Sequence, residues 1–355
     1  MRIGIVSIWG NRGQATVARH LRSVLERLGH STFVLARPMR GNPPPDPVIM
    51  TSDVWDQPGV THGSQYFVPR KEYLDWARAC ELDAVFCDQN YQFEELSMLR
   101  AMGIRTFGRF VWEKFQEKHV EDARRAFDVI YSLTECEARR YEELGIESHF
   151  IRWGCHPEIR PASPRARDGR IRYFFPATGR RKPQAVTVDA FRESTAPGIE
   201  LVIKGHETRH IGQIDRIAAP DPRITVIHDE LDFAAYHRLF ASCDVCLAPS
   251  RWEGLGLHLF EAFSHGLPII TNDAPPMNEL VEHGVNGFLV RSHVDGQTRS
   301  GVPRHEPDRD DLVRAIEHLA DPARVERLSA GVTETREGKL AWDRTVEGFE
   351  RLIEE

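Results

Sequence analysis

The chain has 355 residues, of which 41% are hydrophobic and 28% are charged, and its formal net charge at pH 7 is -7. This length predicts two domains, each large enough for its own core, and the composition is typical of a soluble globular protein. No apolar run reaches the roughly 20 residues that a transmembrane helix needs, and the acidic balance argues against broad binding of nucleic acid.

The first half of the chain alternates short β-like runs with helical segments. It opens on an apolar strand and not on a signal peptide, so we expect a cytoplasmic protein, with contact to a membrane surface left open. The segment 14–28 has apolar residues at helical spacing. The predicted strands are 2–8, 32–36, 84–87, 105–107 and 129–133. This alternation favours βαβ units and a parallel sheet.

A change in composition follows residue 151. The segment 152–169 contains three prolines and has no periodicity, so we interpret it as a linker. A second alternating half then begins, whereas the polar segment 292–309 predicts a mobile loop. The predicted elements of this half are strands 171–175, 200–203, 224–227, 245–248 and 268–271, with helices 186–193 and 233–240. The pattern predicts two doubly wound α/β domains in tandem.

The segment Ser250–Glu261 is the most informative motif of the chain. It carries two carboxylates, Glu253 and Glu261, and Gly254 and Gly256 lie just after the first of them. A helix that begins after the second glycine would direct its free N–H groups, and the positive end of its dipole, at an anion. Carboxylates also accept hydrogen bonds from the hydroxyls of a sugar or ribose. The alternative is a plain turn followed by a helix whose second glutamate is merely solvated.

A second motif, Ala177–Pro183, follows the predicted strand 171–175 at the edge of the sheet where α/β folds bind ligands. It contains Arg180, Arg181 and Lys182, which suit a diphosphate because guanidinium and ammonium groups neutralise its charge. The alternative is a solvated basic turn. Two anion-seeking motifs at strand ends of one domain make a coincidence less plausible.

A third motif, Trp9–Gln14, is a glycine turn that leads from the first strand into the first helix. It lacks the full G-x-G-x-x-G spacing, and the second strand ends at Arg37 and not at an acidic residue suited to a ribose. The cysteines Cys243 and Cys246 form a C-x-x-C pair with no partner cluster at zinc-finger spacing, so we expect buried thiols and no metal site.

The spacing of Glu253 and Glu261 resembles the E-x7-E pattern of retaining glycosyltransferases such as those of glycosyltransferase family 4, which have the GT-B fold. The likeness continues through 262–271, 278–281 and 284–290. Upstream, the segment 179–182 followed by Asp189-Ala190-Phe191 is similar to the family's Gly-Arg, Lys and Glu-Ala-Phe pattern. The strong part of the resemblance covers about residues 174–290, and the first half matches in rhythm more than in residues.

This resemblance implies two Rossmann-like, doubly wound parallel-sheet domains facing a central cleft. The implied N-terminal acceptor-side domain is 1–155, the nucleotide-sugar-binding domain is 156–337, and a C-terminal helix in 338–355, anchored by Trp342, packs back on the first domain. The implied activity is that of a metal-independent, retaining glycosyltransferase of the hexosyltransferase type. It would need no cofactor and would use a nucleotide-sugar donor, with UDP or GDP as the expected nucleotides.

The resemblance also implies roles for individual residues. Arg181 and Lys182 would hold the donor diphosphate, Glu261 would bind the ribose, and Glu253 would bind the transferred sugar; the nucleobase would lie against 229–231. Glu253, Lys182 and Arg181 would be the catalytic set. The implied donor-binding residues are Gly13, Arg180, Arg181, Lys182, Leu231, Glu253, Gly254, Leu255, Gly256 and Glu261.

The sequence departs from the family at one point. Family members commonly carry a histidine after the fourth or fifth strand of the first domain, and neither corresponding strand end has one here. The candidates for acceptor-side groups are Asp88, Gln89, Arg109 and Glu113. Three alternatives stay open: a sugar-nucleotide epimerase of the same fold, a non-catalytic sugar-nucleotide-binding protein, and an NADP-dependent oxidoreductase that would use Gly10, Gly13 and Arg37. The sequence does not indicate the acceptor, whether a glycan, a lipid-linked sugar or a natural product.

Overall fold

A computed structural model describes residues 1–41, 49–159, 169–179, 181–205, 214–216, 218 and 221–355. These residues form two compact units, one of Met1–Arg152 with Asp343–Glu355 and the other of Trp153–Trp342. Arg180 and most of the expected linker, 160–168, lie outside the described residues.

The first unit is built on a seven-stranded sheet in which every pairing is parallel. The strand order is β3-β2-β1-β4-β5-β6-β7. The strands are β1 (Arg2–Ile8), β2 (Ser31–Arg37), β3 (Val60–His62), β4 (Ala84–Asp88), β5 (Arg105–Arg109), β6 (Val129–Ser132) and β7 (His149–Phe150). The helices are α1 (Gly13–Arg27), α2 (Ser52–Trp55), α3 (Arg70–Ala79), α4 (Phe93–Ala101), a 3₁₀ turn (Glu117–His119), α5 (Val120–Ala126) and α6 (Glu135–Glu143).

The central strands of this unit are buried, so their sequences are apolar runs that predict strands. All five residues of β4 are buried, as expected for a strand covered on both faces by helices. Helix α1 buries one apolar stripe that includes Leu21, Val24 and Leu25, which is the face that its helical spacing predicts. The parallel α/β arrangement predicted for this half is confirmed.

The second unit has a six-stranded parallel sheet in the order β10-β9-β8-β11-β12-β13. Its strands are β8 (Ile171–Pro176), β9 (Ile199–Lys204), β10 (Ile224–Ile227), β11 (Val245–Leu247), β12 (Ile269–Asn272) and β13 (Gly287–Val290). The helices are α7 (Gln184–Glu193), α8 (Phe233–Ala241), α9 (Leu257–Ser264), α10 (Met277–Leu280), α11 (Arg309–His318) and α12 (Pro322–Glu337). Cys243 and Cys246 are buried and form no disulfide; Cys246 lies in β11, and Cys243 comes two residues before that strand.

The loop predicted for 292–309 is wrong. Strands β14 (Ser292–Gln297) and β15 (Pro303–Pro307) pair antiparallel there, with a register shift between Val294 and Gly296. The segment lacks an apolar face, so sequence periodicity gives no sign of the strands. Its backbone is held by pairing and by hydrogen bonds to the rest of the unit, including one from Asn272 Nδ2 to the carbonyl of His305, 2.8 Å long.

The last helix, α13 (Trp342–Glu354), belongs with the first unit from Asp343 onward. Its Phe349 lies edge to face with Phe86 and Tyr131 of that unit. Trp342, the expected anchor, groups with the second unit, where its ring lies edge to face with that of Trp153. No helix in the described part of the chain is long and apolar enough to cross a membrane.

Candidate functional site

Strand order in the second unit creates a ligand-binding position between β8 and β11. The chain runs from β8 outward to β9 and β10 on one side, and from β11 outward to β12 and β13 on the other. In parallel sheets of this kind, ligands bind at the carboxyl edge where the winding direction reverses. The loop after β8 carries Arg181 and Lys182, and the loop after β11 carries Ser250 and Glu253. The two predicted motifs therefore share one crevice.

The ammonium group of Lys182 is at the centre of this position. Its Nζ lies 2.7 Å from Glu253 Oε1, 2.5 Å from Ser250 Oγ and 2.9 Å from His258 Nε2. Lys182 is 6% exposed, Glu253 5% and Ser250 0%. An ammonium group has three N–H donors, and each of these acceptors takes one of them. The structure thus assembles a buried, fully hydrogen-bonded cation at the strand ends.

Arg181 completes the charge arrangement, with its Nη1 3.4 Å from Glu253 Oε2. Burial alone would raise the pKa of Glu253, but the charges of Lys182 and Arg181, together with the hydrogen bond from Lys182, outweigh it and lower that pKa well below its usual range. Burial lowers the pKa of Lys182, and the neighbouring Glu253 carboxylate opposes this shift. Both oxygens of Glu253 therefore accept hydrogen bonds from cationic side chains of the protein.

Glu261, the second carboxylate of the motif, lies one turn into α9. Its Oε2 accepts a hydrogen bond of 3.0 Å from the hydroxyl of Tyr236 on α8. Burial raises the pKa of Glu261 to about 7, and the Tyr236 hydroxyl and the Lys182 charge act in the opposite direction. The ring of Tyr236 is held against Phe174 and Phe240. Glu261 is therefore oriented by a rigid aromatic partner and titrates near neutrality.

The turn between the two glutamates has the geometry predicted from its glycines. Gly256 has φ 75° and ψ 46°, a left-handed conformation that glycine adopts at little cost, and α9 begins at the next residue. Gly254, Leu255 and Gly256 are all buried. No side chain caps the start of α9. The N–H of Leu259 donates to the carbonyl of Gly256 at 2.8 Å, and an anion could accept hydrogen bonds from other N–H groups of this first turn.

Two further parts of the predicted donor set lie elsewhere. Leu231 is half-buried in the loop between β10 and α8, and the structure gives it no polar partner that would assign a role. Gly13 is exposed and is the first residue of α1 in the first unit. Arg180, the alternative phosphate ligand, lies outside the described residues.

Four side chains of this unit escaped the sequence reasoning. Ser250 and His258 bind Lys182, and Tyr236 binds Glu261. Arg251 ties the loop to the hairpin: its N–H donates to the carbonyl of Arg181 at 2.8 Å, and its guanidinium forms a two-point ion pair with Glu306. Ser250, Arg251 and His258 lie inside the motif Ser250–Glu261, so their positions in the sequence were a signal, whereas Tyr236 gave none.

In the first unit, the acceptor-side candidates follow β4 and β5. The guanidinium of Arg109 lies between two carboxylates, with Nη1 3.3 Å from Asp88 Oδ1 and Nε 2.9 Å from Glu137 Oε2. Arg109 is 1% exposed, Asp88 6% and Glu137 0%. Burial raises the pKa of both carboxyls, and the Arg109 charge opposes that shift. Glu137, which the sequence did not single out, is thus the main partner of Arg109.

Gln89 and Glu113 are the other two candidates. Gln89 is 5% exposed and has φ 54°, a left-handed conformation unusual for a non-glycine residue, and both polar atoms of its side chain lack hydrogen-bond partners. Glu113 is 6% exposed. Asp88 is the last residue of β4 and Gln89 follows it; β4 is next to β1, where the winding of this sheet reverses. Arg37, the residue that an NADP site would need, is 1% exposed and donates its Nε to the carbonyl of Tyr66 at 2.9 Å.

Comparison with known proteins shows a similarity to glycosyltransferases in the second unit. Residues 173–321 match the sequence model of the family described as glycosyl transferases group 1. The GtfA subunit of a UDP-N-acetylglucosamine–peptide N-acetylglucosaminyltransferase from Streptococcus pneumoniae is 32% identical over 124 residues, which are 32% of this chain and 23% of that protein. Alignments with three curated relatives span between 16% and 26% of their lengths.

Solved structures extend the likeness to the whole chain. A sucrose-phosphate synthase from Thermosynechococcus elongatus has a TM-score of 0.75 at 17% identity, covering 99% of this chain and 98% of that one. The Anabaena protein HepE, solved with UDP and glucose, has a TM-score of 0.75 at 14% identity and covers 99% of both chains. At these identities the likeness establishes the fold. Residues 173–321 therefore resemble the family described as glycosyl transferases group 1, and the chain has the GT-B fold.

Proposed function

We propose that this protein is a glycosyltransferase that moves a sugar from a nucleoside-diphosphate sugar to an acceptor hydroxyl. The observation that carries the proposal is the buried Lys182 ammonium at the β8/β11 crevice, beside Arg181 and the uncapped start of α9. Transfer of a sugar leaves a nucleoside diphosphate carrying additional negative charge. Fixed cations and helix N–H groups stabilise that charge without reorganising during the reaction.

In this proposal, each charged group of the site has a separate role. Lys182, Arg181 and the first N–H groups of α9 bind the two phosphates. Glu261, oriented by Tyr236, accepts hydrogen bonds from the ribose hydroxyls when it is ionised. Glu253 accepts from the transferred sugar and keeps Lys182 in place. UDP is the nucleotide to test first, because the structurally similar HepE was solved with UDP. GDP is the second nucleotide to test.

The proposed reaction proceeds with retention of configuration and without a metal. The bond between the anomeric carbon and the diphosphate oxygen breaks, and the acceptor oxygen bonds to the same carbon from the leaving-group face. The proton of the acceptor hydroxyl passes to a phosphate oxygen of the departing diphosphate. No protein base is needed in this scheme, and Lys182 with Arg181 offsets the charge on the leaving group.

The proposal leaves the acceptor unassigned and places its binding groups at the strand ends of the first unit. Asp88, Gln89, Arg109 and Glu113 are the candidates there. Arg109 is enclosed by Asp88 and Glu137, which favours a supporting role for it. Gln89, with a free amide donor and a free carbonyl acceptor, is the best suited of the four to bind a hydroxyl.

A panel of UDP-, GDP- and dTDP-sugars incubated with the protein in EDTA tests the proposal. We expect slow release of nucleoside diphosphate from one of them, faster with an acceptor. Formation of an isomerised nucleotide sugar would instead indicate that the protein is an epimerase. Binding of a nucleotide sugar without turnover on any acceptor would indicate a non-catalytic binding protein. The buried Arg37 disfavours an NADP-dependent oxidoreductase, and stabilisation by NADP but by no nucleotide sugar would overturn the proposal.

Two variants test the roles of the motif residues. Lys182→Ala is expected to cost roughly 2 kcal/mol or more of transition-state stabilisation, because a charge-assisted contact to the diphosphate is lost. Glu261→Ala is expected mainly to raise the donor KM. Lys339→Ala, which removes an exposed lysine of the same unit, is the matched control and is expected to leave both parameters unchanged. Near wild-type turnover of Lys182→Ala would remove Lys182 from the site.

A further inference from the structure

His258 is one of the three acceptors of the Lys182 ammonium, and it differs from the other two because either nitrogen of its ring can carry the proton. It is the second residue of α9, and its backbone position is set by the left-handed Gly256 that starts the helix. Its Nε2 lies 2.9 Å from Lys182 Nζ. Ser250 Oγ and Glu253 Oε1 take the other two N–H groups of the ammonium. His258 therefore supplies the third point that determines where this ammonium lies.

The contact settles the tautomer of the imidazole. A lysine ammonium is a donor only, so Nε2 of His258 must present its lone pair to it. A neutral histidine then carries its proton on Nδ1. The surroundings favour the neutral ring: burial, followed by the Lys182 and Arg181 charges, lowers the pKa of His258 to about 3, and only Glu253 opposes the shift. The ring thus remains an acceptor for Lys182 throughout the neutral range.

We propose that His258 is a positioning residue, a neutral Nδ1–H imidazole whose Nε2 holds the Lys182 ammonium in place as a fixed positive charge beside a diphosphate. The proposal rests on the proposed function for the identity of the ligand. Without His258, one N–H of the buried ammonium has no acceptor, and Ser250 and Glu253 alone determine where the ammonium lies. A cation that is less firmly held stabilises the departing charge less well.

The substitutions His258→Leu and His258→Gln separate positioning from packing. Leucine fills similar space but cannot accept a hydrogen bond, whereas the side-chain carbonyl of glutamine can reach the place of Nε2. We expect about a tenfold or larger loss of kcat/KM in His258→Leu, the size of a lost hydrogen bond to a charged group, with most of it in kcat. His258→Gln is expected to recover most of that loss. Equal activity of His258→Leu and the wild type would overturn the proposal.

Nitrogen NMR of the wild-type protein provides a test that does not depend on activity. With ¹⁵N-labelled histidine, and with His258→Gln to identify the resonance, the Nε2 signal of His258 should have the shift of an unprotonated nitrogen and stay unchanged from pH 5 to pH 8. A proton on Nε2, or titration near the ordinary histidine value of about 6.5, would refute the assigned tautomer. The experiment remains decisive if His258→Leu does not fold.

The two proposals fail in different ways. If the wild-type protein neither binds nor turns over any nucleotide sugar, the proposed function is wrong, whatever the NMR result. If Lys182→Ala weakens both binding and turnover while His258→Leu changes neither, the function stands and the positioning role of His258 is wrong.

Discussion

Removing Lys182 and Glu253 singly is expected to destabilise the protein by amounts that add up to more than the loss from removing both. The two charged atoms are 2.7 Å apart, and the side chains are 6% and 7% exposed. At an effective dielectric constant of about 20, Coulomb's law gives an attraction of about 6 kcal/mol at this separation, offset by the cost of desolvating both ions. Loss of one partner leaves the other buried and unpaired, which costs about 3–5 kcal/mol.

The perturbation is a double-mutant cycle of Lys182→Met, Glu253→Gln and the combination. The free energy of unfolding is measured by urea denaturation at pH 7.5, with a probe in the second unit. We expect Lys182→Met to fall toward the lower end of the range, because Arg181 still lies 3.4 Å from Glu253. The double variant should lose less than the sum of the single losses by about 2 kcal/mol or more.

The ion pair of Arg172 with Glu200 in the same unit is the matched control. Its atoms are 2.6 Å apart, yet its side chains are 30% and 24% exposed, so each single substitution there should cost about 1 kcal/mol or less. The reasoning is refuted if the Lys182 and Glu253 variants lose no more than the control variants and their effects are additive, because the pair would then be solvated in solution.

Three further outcomes are expected. Nucleotide binding should strengthen as the pH rises through about 7, the pKa of Glu261, because only the ionised carboxylate accepts from both ribose hydroxyls. Tyr236→Phe removes a hydrogen bond that lowers this pKa, so the midpoint of a calorimetric titration series should move to higher pH, and an unchanged midpoint would contradict the assigned contact. Gly256→Ala should cost about 1 kcal/mol in thermal unfolding because φ is 75°, and a neutral result would mean that the turn relaxes. Glu137→Gln should lower stability by about 3 kcal/mol by leaving Arg109 with Asp88 at 3.3 Å as its remaining carboxylate partner, whereas a loss under 1 kcal/mol would mean that the buried pair is dispensable.

Much of the fold could be predicted because its strands are short, apolar and separated by amphipathic helices. The run Ala84–Asp88 is buried throughout, and Ile224–Ile227 was located at its observed bounds. The hairpin β14–β15 could not be found in this way. Its residues are mostly polar, and its conformation depends on pairing and on contacts such as Arg251 with Glu306, 55 residues away in sequence.

The same distinction applies to the candidate site. Lys182 and Glu253 follow adjacent strands of one sheet. Because the sequence places both residues at strand ends of the same domain, it predicts that they lie close together. The partners that orient the side chains could not be predicted, because His258 lies 76 residues from Lys182 and Tyr236 lies 25 residues before Glu261. Arg109 illustrates the limit of the method: a polar residue at a strand end suggests a ligand, yet here it is enclosed by Asp88 and Glu137.

The hairpin β14–β15 has a practical consequence for engineering. At its base, His305 donates its N–H to the carbonyl of Arg251 at 2.9 Å, and Arg251 in turn donates to the carbonyl of Arg181. Its tip, residues 298–302, closes on itself through Thr298 and Val302. A peptide tag or a fluorescent label inserted at the tip is therefore expected to leave the loop that carries Arg181 and Lys182 undisturbed. Shortening the hairpin from its base would instead displace Arg181. The tip is therefore suited to attaching a label, whereas changes at the base alter the position of a site residue.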